Sequence, residues 1–262
     1  MKSIVVQAFA MMLALASPAY AQAPYPDHGI SLVVPYSAGG WVDSLARPVA
    51  EKLGQVLGQA FVTINRPGAS GMIGAASVMR AKPDGYTLLA HSTAVMAARS
   101  AIADEKPDPN FPALAVAATI ASTPGIMTVA SALGVATFKE LVDKLRAQPG
   151  KYAYGSSGVG SQSHLWSAYV VRKLGLDVQH VPFAGGSPAL VEVMAGRIAW
   201  MFDTPQGAIK GIKTGKAIPL MVASSSRLRD FPNVPTAVEL GLPQLADQLA
   251  TLFIMAPAET RL

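Results

Sequence analysis

The stretch Leu32 to Leu57, LVVPYSAGGWVDSLARPVAEKLGQVL, constrains the fold more than any other. Leu32, Val33 and Val34 read as a buried strand, and Pro35-Tyr36-Ser37-Ala38-Gly39-Gly40 reads as a turn whose glycines reach backbone angles that other residues avoid. Asp43 and Ser44 are good N-cap residues, and Leu45, Val49, Leu53, Val56 and Leu57 then fall on one helical stripe. The N–H groups of a first helical turn are unsatisfied and the helix dipole favours negative charge there, so strand, glycine-rich turn and helix can make an anion site. Alone, the stretch fits an ordinary βα turn equally well.

The chain repeats the pattern from Lys151 to Lys173, KYAYGSSGVGSQSHLWSAYVVRK. Tyr152, Ala153 and Tyr154 form a short strand, Gly155 to Ser163 a turn, and His164 to Lys173 a helix with Leu165, Tyr169 and Val170 inward. Seven of the nine turn residues are Gly or Ser, so backbone can approach a ligand and hydroxyls can serve it. Two such turns, more than a hundred residues apart, predict two lobes that present helix N-termini to one ligand.

At 262 residues the chain exceeds a usual single domain, which agrees with two lobes. Hydrophobic residues make up 51% and charged residues 14%, a composition for burying a core. The absence of cysteine removes thiol catalysis, thiolate metal sites and disulfides together. The formal charge of +5 is scattered, with no Lys/Arg block and no interleaved aromatics, which argues against nucleic acid. Met1 to Ala21 reads as a secretory signal, with Lys2 ahead of an apolar run and Ala19-Tyr20-Ala21 as an A-x-A cleavage site, so the protein is expected in the periplasm. The apolar run is too short for a membrane span.

Strands are expected at Phe61 to Ile64, Tyr86 to Ala90, Leu114 to Ile120, Gly125 to Ala130, Val178 to Val181, Ile198 to Phe202, Ile218 to Ala223 and Thr251 to Met255. Helices start near Gly71 (Met72, Ile73, Ala76 and Met79 inward), near Phe138 (with Leu141, Val142 and Leu145) and near Leu190 (with Val193 and Met194). Lys106 to Pro112 is a loop. Strands alternating with helices imply parallel sheets, whose ligands sit beyond the carboxyl ends of the strands, where Ser37, His91 and Ser92 fall. Gly125 to Ala130 is expected to cross between lobes and Thr251 to Met255 to return. This divides the chain into a signal (1–21), a first lobe (22–127 and 251–262) and a second lobe (128–250).

Five stretches carry a family resemblance: VPYSAGGWVDSLARPVAEKL (Val34 to Leu53), NRPGASGMIGAASVMRAKPDGYTLL (Asn65 to Leu89), LRAQPGKYAYGSSGVGSQSHL (Leu145 to Leu165), HVPFAGGSPALVEVMAGRIAWMFD (His180 to Asp203) and FPNVPTAVELGLP (Phe231 to Pro243). In that order they resemble the periplasmic solute-binding proteins of the tripartite tricarboxylate transporter type, also called Bug proteins. The resemblance implies an α/β, two-lobed periplasmic-binding-protein-like fold (Venus flytrap, type II) with a parallel or mixed sheet in each lobe. It implies a receptor without cofactor or metal that captures a small carboxylate (dicarboxylate, tricarboxylate, amino acid or aromatic acid) and delivers it to transporter membrane subunits. The family grips carboxylates largely through backbone N–H groups and bridging waters of the two turns. This chain departs by carrying Ala38 where Pro is usual, Trp41 where a small residue or Pro is usual, and His91 where a small residue is common. Pro48 is expected to kink the first helix. The chain stops at Leu262, where family members continue, so a monomer is expected unless a shortened first lobe leaves apolar surface to associate.

Turns and resemblance together nominate Tyr36, Ser37, Ala38, Gly39, Gly40, Trp41 and Asp43 in the first turn and helix start, with His91 and Ser92 at the third strand's end. In the second lobe they nominate Ser156, Ser157, Gly158, Ser161, Gln162 and Ser163, then Phe183 and Gly185, then Asp203. Asp203 either caps the turn after its strand or faces the ligand. Lys210, Lys213 and Lys216 read as a solvated helix end, with a transporter-docking patch as the sharper alternative. A sensor for a membrane signalling partner is a second binding function. A serine hydrolase using Ser157 or Ser161 is the reading outside binding, but no G-x-S-x-G elbow occurs. His28, His91, His164 and His180 have no metal-site spacing, and the third glycine of a dinucleotide motif is missing after Gly160.

Overall fold

A computed structural model describes residues 24–92, 114–246 and 248–261. The expected signal, Thr93 and the Lys106 to Pro112 loop lie outside the described residues. The first sheet contains β1 (Ile30–Val34), β2 (Phe61–Asn65), β3 (Thr87–Ser92), β4 (Leu114–Thr123) and β10 (Ala250–Pro257), in the order β2-β1-β3-β10-β4. The second contains β5 (Ile126–Ala130), β6 (Ala153–Ser156), β7 (Gln179–Pro182), β8 (Trp200–Asp203) and β9 (Ala217–Val222), in the order β7-β6-β8-β5-β9. Both sheets are mixed. In the first, β1 runs parallel to β2 and β3 while β10 is antiparallel to β3 and β4. In the second, β6 runs parallel to β7 and β8 while β5 is antiparallel to β8 and β9. The parallel strands need crossover helices: α1 (Trp41–Leu57) and α2 (Met72–Met79) in the first lobe, α3 (Phe138–Ala147), α4 (Gln162–Leu174), α5 (Gly186–Met194) and α6 (Pro205–Lys213) in the second.

The outward crossing sits earlier than Gly125 to Ala130. All of β5 pairs inside the second sheet, Ile126 opposite both Asp203 and Val222. The chain changes sheet at Pro124-Gly125, where Pro124 has no N–H to give a ladder. The return run begins at Ala250 and is buried between β3 and β4.

Helix faces correct the expected stripes. α1 begins at Trp41, with Gly40 in extended conformation as N-cap, and runs unbroken through Pro48. It buries Val42, Ala46 and Ala50, while Val56 and Leu57 are exposed. Small residues on the inner face let the helix lie close to the sheet, with Leu45 partly buried beside them against the core. α4 likewise buries Ser163, Trp166, Ser167 and Val170, leaving Leu165 exposed. In α2 the buried side is Gly74, Ala75, Val78 and Met79, with Ile73 exposed. A Cβ at residue 74 would stand 2.7 Å from Pro35 Cβ, so glycine there sets how near α2 lies to the end of β1. α3 buries Phe138, Leu141, Val142 and Leu145 as the periodicity predicts.

Candidate ligand-binding site

Four helices begin at one cavity. Gly40, Trp41 and Val42 come from the start of α1, Ser161, Gln162 and Ser163 from the start of α4, Gly186 from the start of α5, and Asp203 and Thr204 from the turn into α6. Tyr36, Ser92, Ser157, Trp166, Phe202 and Ala250 complete the wall. The space, open solvent at its mouth included, is about 590 Å³. Among the described residues its wall holds no Lys, Arg or His. Each helix N-terminus carries roughly half a positive charge, so four of them supply about two in place of cationic side chains.

The first turn is braced from behind. Asp43, buried in the first turn of α1, accepts from the Gly39 N–H at 2.9 Å, from Asn65 Nδ2 at 2.8 Å, and from Arg47 Nε and Nη2 at 3.0 and 2.9 Å. Asn65 also donates to the Tyr36 carbonyl at 3.0 Å, tying the end of β2 to the end of β1. Burial pushes the Asp43 carboxyl up, but the hydrogen bonds from Arg47, Gly39 and Asn65 outweigh it and hold the group below the usual range. Gly39 has φ 76°, which a side chain would strain. Gly40 does not need that freedom, since its φ is −78°.

In the second turn hydroxyls hold backbone. Ser163 Oγ accepts from the Ser157 N–H at 2.9 Å, and Ser156 Oγ accepts from the Gly158 N–H at 3.2 Å. Ser161 is the N-cap of α4, accepting from the His164 N–H while donating to the Gly158 carbonyl at 2.7 Å. Behind this turn His164 and His180 stack at 4.1 Å between centroids, and Tyr154 stacks on His180 at 4.9 Å. His180 Nε2 pairs with Ser156 Oγ at 2.7 Å, and the Gly160 N–H donates to His164 Nδ1 at 3.1 Å. Burial lowers both imidazoles, and the charge of His164 helps bring His180 to about 4.

Hydrogen-bond accounting moves the donors from the turns to the helix starts. The N–H groups of Ser37, Gly39, Ser157, Gly158 and Gly160 are all spent inside the protein. Those of Gly40, Trp41, Val42, Gln162 and Ser163 have no acceptor among the described residues, and all five residues line the cavity. Ser92 Oγ is also without a partner among the described residues.

Of the residues nominated from sequence, Tyr36, Gly40, Trp41, Ser92, Ser157, Ser161, Gln162, Ser163 and Asp203 line the cavity. Ser37, Ala38, Gly39, Asp43, His91, Ser156, Gly158, Phe183 and Gly185 stand outside its wall. Several of these shape it instead. The Ser37 N–H and Oγ both donate to the Ala184 carbonyl, at 3.2 and 3.1 Å, joining the first lobe's turn to the turn ahead of α5. Phe183 follows β7 in that turn, and Gly185 (φ 155°) would place a Cβ 3.2 Å from the Ser37 nitrogen. His91 is fully buried beside Tyr36, its Nδ1 at the Ser92 carbonyl and its Nε2 without a partner among the described residues; burial lowers it to about 4. Val42, Trp166, Gly186, Phe202, Thr204 and Ala250 line the cavity without having been nominated. Trp166 and Val42 were discoverable as helix residues one turn inside the clamp motifs; nothing in the sequence pointed to Ala250.

Ser157 Oγ and Ser161 Oγ meet no imidazole nitrogen among the described residues: Ser157 Oγ meets Ser163 Oγ at 3.0 Å, as does Ser161 Oγ. The one hydroxyl-to-imidazole contact among the described residues of this turn, Ser156 Oγ with His180 Nε2, involves the fully buried Ser156, which stands outside the cavity wall.

Residues 45–261 match the model of the tripartite tricarboxylate transporter family receptor. The chain belongs to that receptor family. BugT of Bordetella pertussis is 30% identical over 257 residues, covering 98% of this chain and 78% of BugT. A UPF0065 protein encoded between tcbD and tcbE in a Pseudomonas species is 33% identical over 222 residues, 84% of this chain. This chain spans 65% of that protein's length. Two solved Rhodopseudomonas palustris proteins, one with adipate (29% identical) and MatC with bound malate (27% identical), superpose with TM-scores of 0.84. Each covers 90% of this chain, which covers 79% and 80% of theirs.

Proposed function

We propose that this chain is a periplasmic solute receptor that holds a small dicarboxylate between the starts of α1 and α4. It would hand that solute to the membrane subunits of a tripartite tricarboxylate transporter, acting as a binding protein without catalysis. The observation that carries this reading is the set of N–H groups at Gly40, Trp41, Val42, Gln162 and Ser163 without an acceptor among the described residues, on residues that line one cavity whose described wall carries no cationic side chain. An oriented N–H accepts no proton and recognises carboxylate oxygens by geometry, at low reorganisation cost. Dicarboxylates are the first candidates because relatives are solved with adipate and with malate. A thermal-shift screen of mono-, di- and tricarboxylates, amino acids and aromatic acids tests it. Stabilisation by RT ln(1 + [L]/Kd), about 2.7 kcal/mol at a hundredfold excess over Kd, identifies the solute. A panel without any stabilising carboxylate, alongside turnover of an ester abolished by Ser157→Ala or Ser161→Ala, would replace this reading with hydrolysis.

A further inference from the structure

We propose that solute binding in this cleft takes up one proton, carried by the Asp203 carboxyl, which then donates a hydrogen bond to the bound dianion. The inference rests on the dicarboxylate reading above. Asp203 ends β8 and enters the cavity wall, where Tyr36 is the only other ionisable side chain among the described residues. Two glycines make room for its carboxyl. A Cβ at residue 186 would lie 2.8 Å from Oδ2, and one at residue 207 would lie within 2.5 Å of both carboxyl oxygens' end of the side chain. Among the described residues its one hydrogen-bond partner is Thr204, whose N–H donates to Oδ1 at 2.7 Å. Among the described residues no cation offsets it, and burial raises its pKa to about 7.

Charge counting gives the direction. Four helix N-termini supply about two positive charges. A dianion and a neutral Asp203 balance that, whereas an ionised Asp203 would add a third negative charge inside the same wall. The solute's charge therefore raises Asp203 further. A solvent proton adds to Oδ2 on binding and leaves on release, with no other bond made or broken.

The neighbouring titratable groups are otherwise engaged. On α1, Asp43 is held by Arg47, Asn65 and Gly39. On α4, His164 accepts from Gly160 and stacks on His180. On α5, Glu192 pairs with Arg197, and on α6, Lys210 and Lys213 lie in the last turn, away from Asp203. β5, paired with β8, carries no titratable residue, β6, also paired with β8, carries Tyr154, raised by burial, and Tyr36 is likewise raised by burial.

The experiment is calorimetric titration of the full chain with malate and with adipate at pH 7, 8 and 9, in two buffers of different ionisation enthalpy. Both solutes are fully ionised in that range. At pH 8 about one proton should be taken up per solute bound, and Kd should rise up to about tenfold per pH unit. In Asp203→Asn, whose amide mimics the neutral acid, uptake should vanish and Kd should stay constant from pH 7 to 9. Binding to the parent protein without proton uptake, or uptake that persists in Asp203→Asn, overturns the proposal while leaving the dicarboxylate reading in place. Absence of binding by either solute overturns both. If Asp203→Asn does not fold, the parent's uptake and its Kd slope decide alone.

Discussion

The indole of Trp166 packs against Gly125: a Cβ at residue 125 would stand 2.7 Å from both Cε3 and Cζ3 of the ring. The same indole donates from Nε1 to the Gln248 carbonyl at 3.0 Å. One side chain of the second lobe thus touches both connections between lobes, just before β5 and just before β10, while also walling the cavity. Gly125→Ala should therefore displace Trp166 and cost about 1–3 kcal/mol, the usual range for overpacking a filled site. Urea denaturation of the two proteins measures it, and an unchanged midpoint would mean that the ring moves aside freely.

Gly158 and Ser70 make a further contact between lobes, beside that of Ser37 with Ala184. Gly158 has φ 128°, and a Cβ there would lie 2.6 Å from Ser70 Oγ and 3.0 Å from Ser70 Cα. Ala69 and Ser70 themselves have φ of 45° and 56°, between Gly68 and Gly71, which are also positive. Such a strained turn persists only where its surroundings fix it. Gly158→Ala should weaken binding of the solute found by the screen at least tenfold, about 1.4 kcal/mol. Calorimetry on variant and parent reads the change; equal Kd values would show that the two turns can part without loss of binding.

Asp43→Ala removes the acceptor that holds Gly39, Asn65 and Arg47 together. Leaving these donors unpaired should cost about 1–3 kcal/mol, and the loosened first turn should weaken binding as well. Denaturation and titration of the same preparation check both halves. A stability loss with intact affinity would mean that the cavity does not depend on this brace.

Much of this was legible in the sequence because short-range chemistry wrote it. Strand, turn and helix around Gly39 and around Gly158 follow from local pattern, and α3 follows from its period. What periodicity could not give was which stripe of α1 or α4 faces inward, because Ala46, Ala50, Ser163 and Ser167 carry little hydrophobic signal and are buried only by close helix–sheet approach. Nor could it say which N–H groups stay free. That depends on acceptors distant in sequence, Asp43 for Gly39 and Ala184 for Ser37. Ala250 reaches the cavity solely through the return strand, a non-local pairing.

His91 is buried with its pKa lowered to about 4. A group depressed in the folded state contributes stability that is present above its unfolded value and lost as pH falls through its folded value. His91 should thus cost the protein about 2 kcal/mol between pH 7 and pH 5. His180 acts in the same direction. Asp203, raised to about 7, acts in the opposite one, its stabilisation being present at low pH and lost as pH rises through 7. His91→Gln should flatten the loss of stability from pH 7 to 5, or reverse it as Asp203 dominates. Denaturant midpoints at the two pH values decide; an identical slope in variant and parent would mean that His91 takes up its proton in the folded state as readily as in the unfolded one.

The last prediction separates backbone from hydroxyl recognition. Ser157 Oγ borders the cavity but already meets Ser163 Oγ, and the Ser157 N–H is spent on Ser163. If the helix-start N–H groups hold the carboxylates, Ser157→Ala should cost only about 0.5–1.5 kcal/mol of binding, the net value of one hydrogen bond. Ser163→Ala should cost more, because Ser163 Oγ accepts the Ser157 N–H and touches both neighbouring hydroxyls, so its loss loosens the turn itself. Gln162→Pro provides the sharper comparison. Proline is tolerated at the first position of a helix, where its missing N–H has no helical partner, so the fold should survive while one donor to the solute disappears. Titration of the three variants with the identified solute should rank Ser157→Ala mildest and Gln162→Pro severe despite an unchanged melting temperature. A Gln162→Pro variant that binds as tightly as the parent would take the grip away from the α4 backbone and return it to the serines.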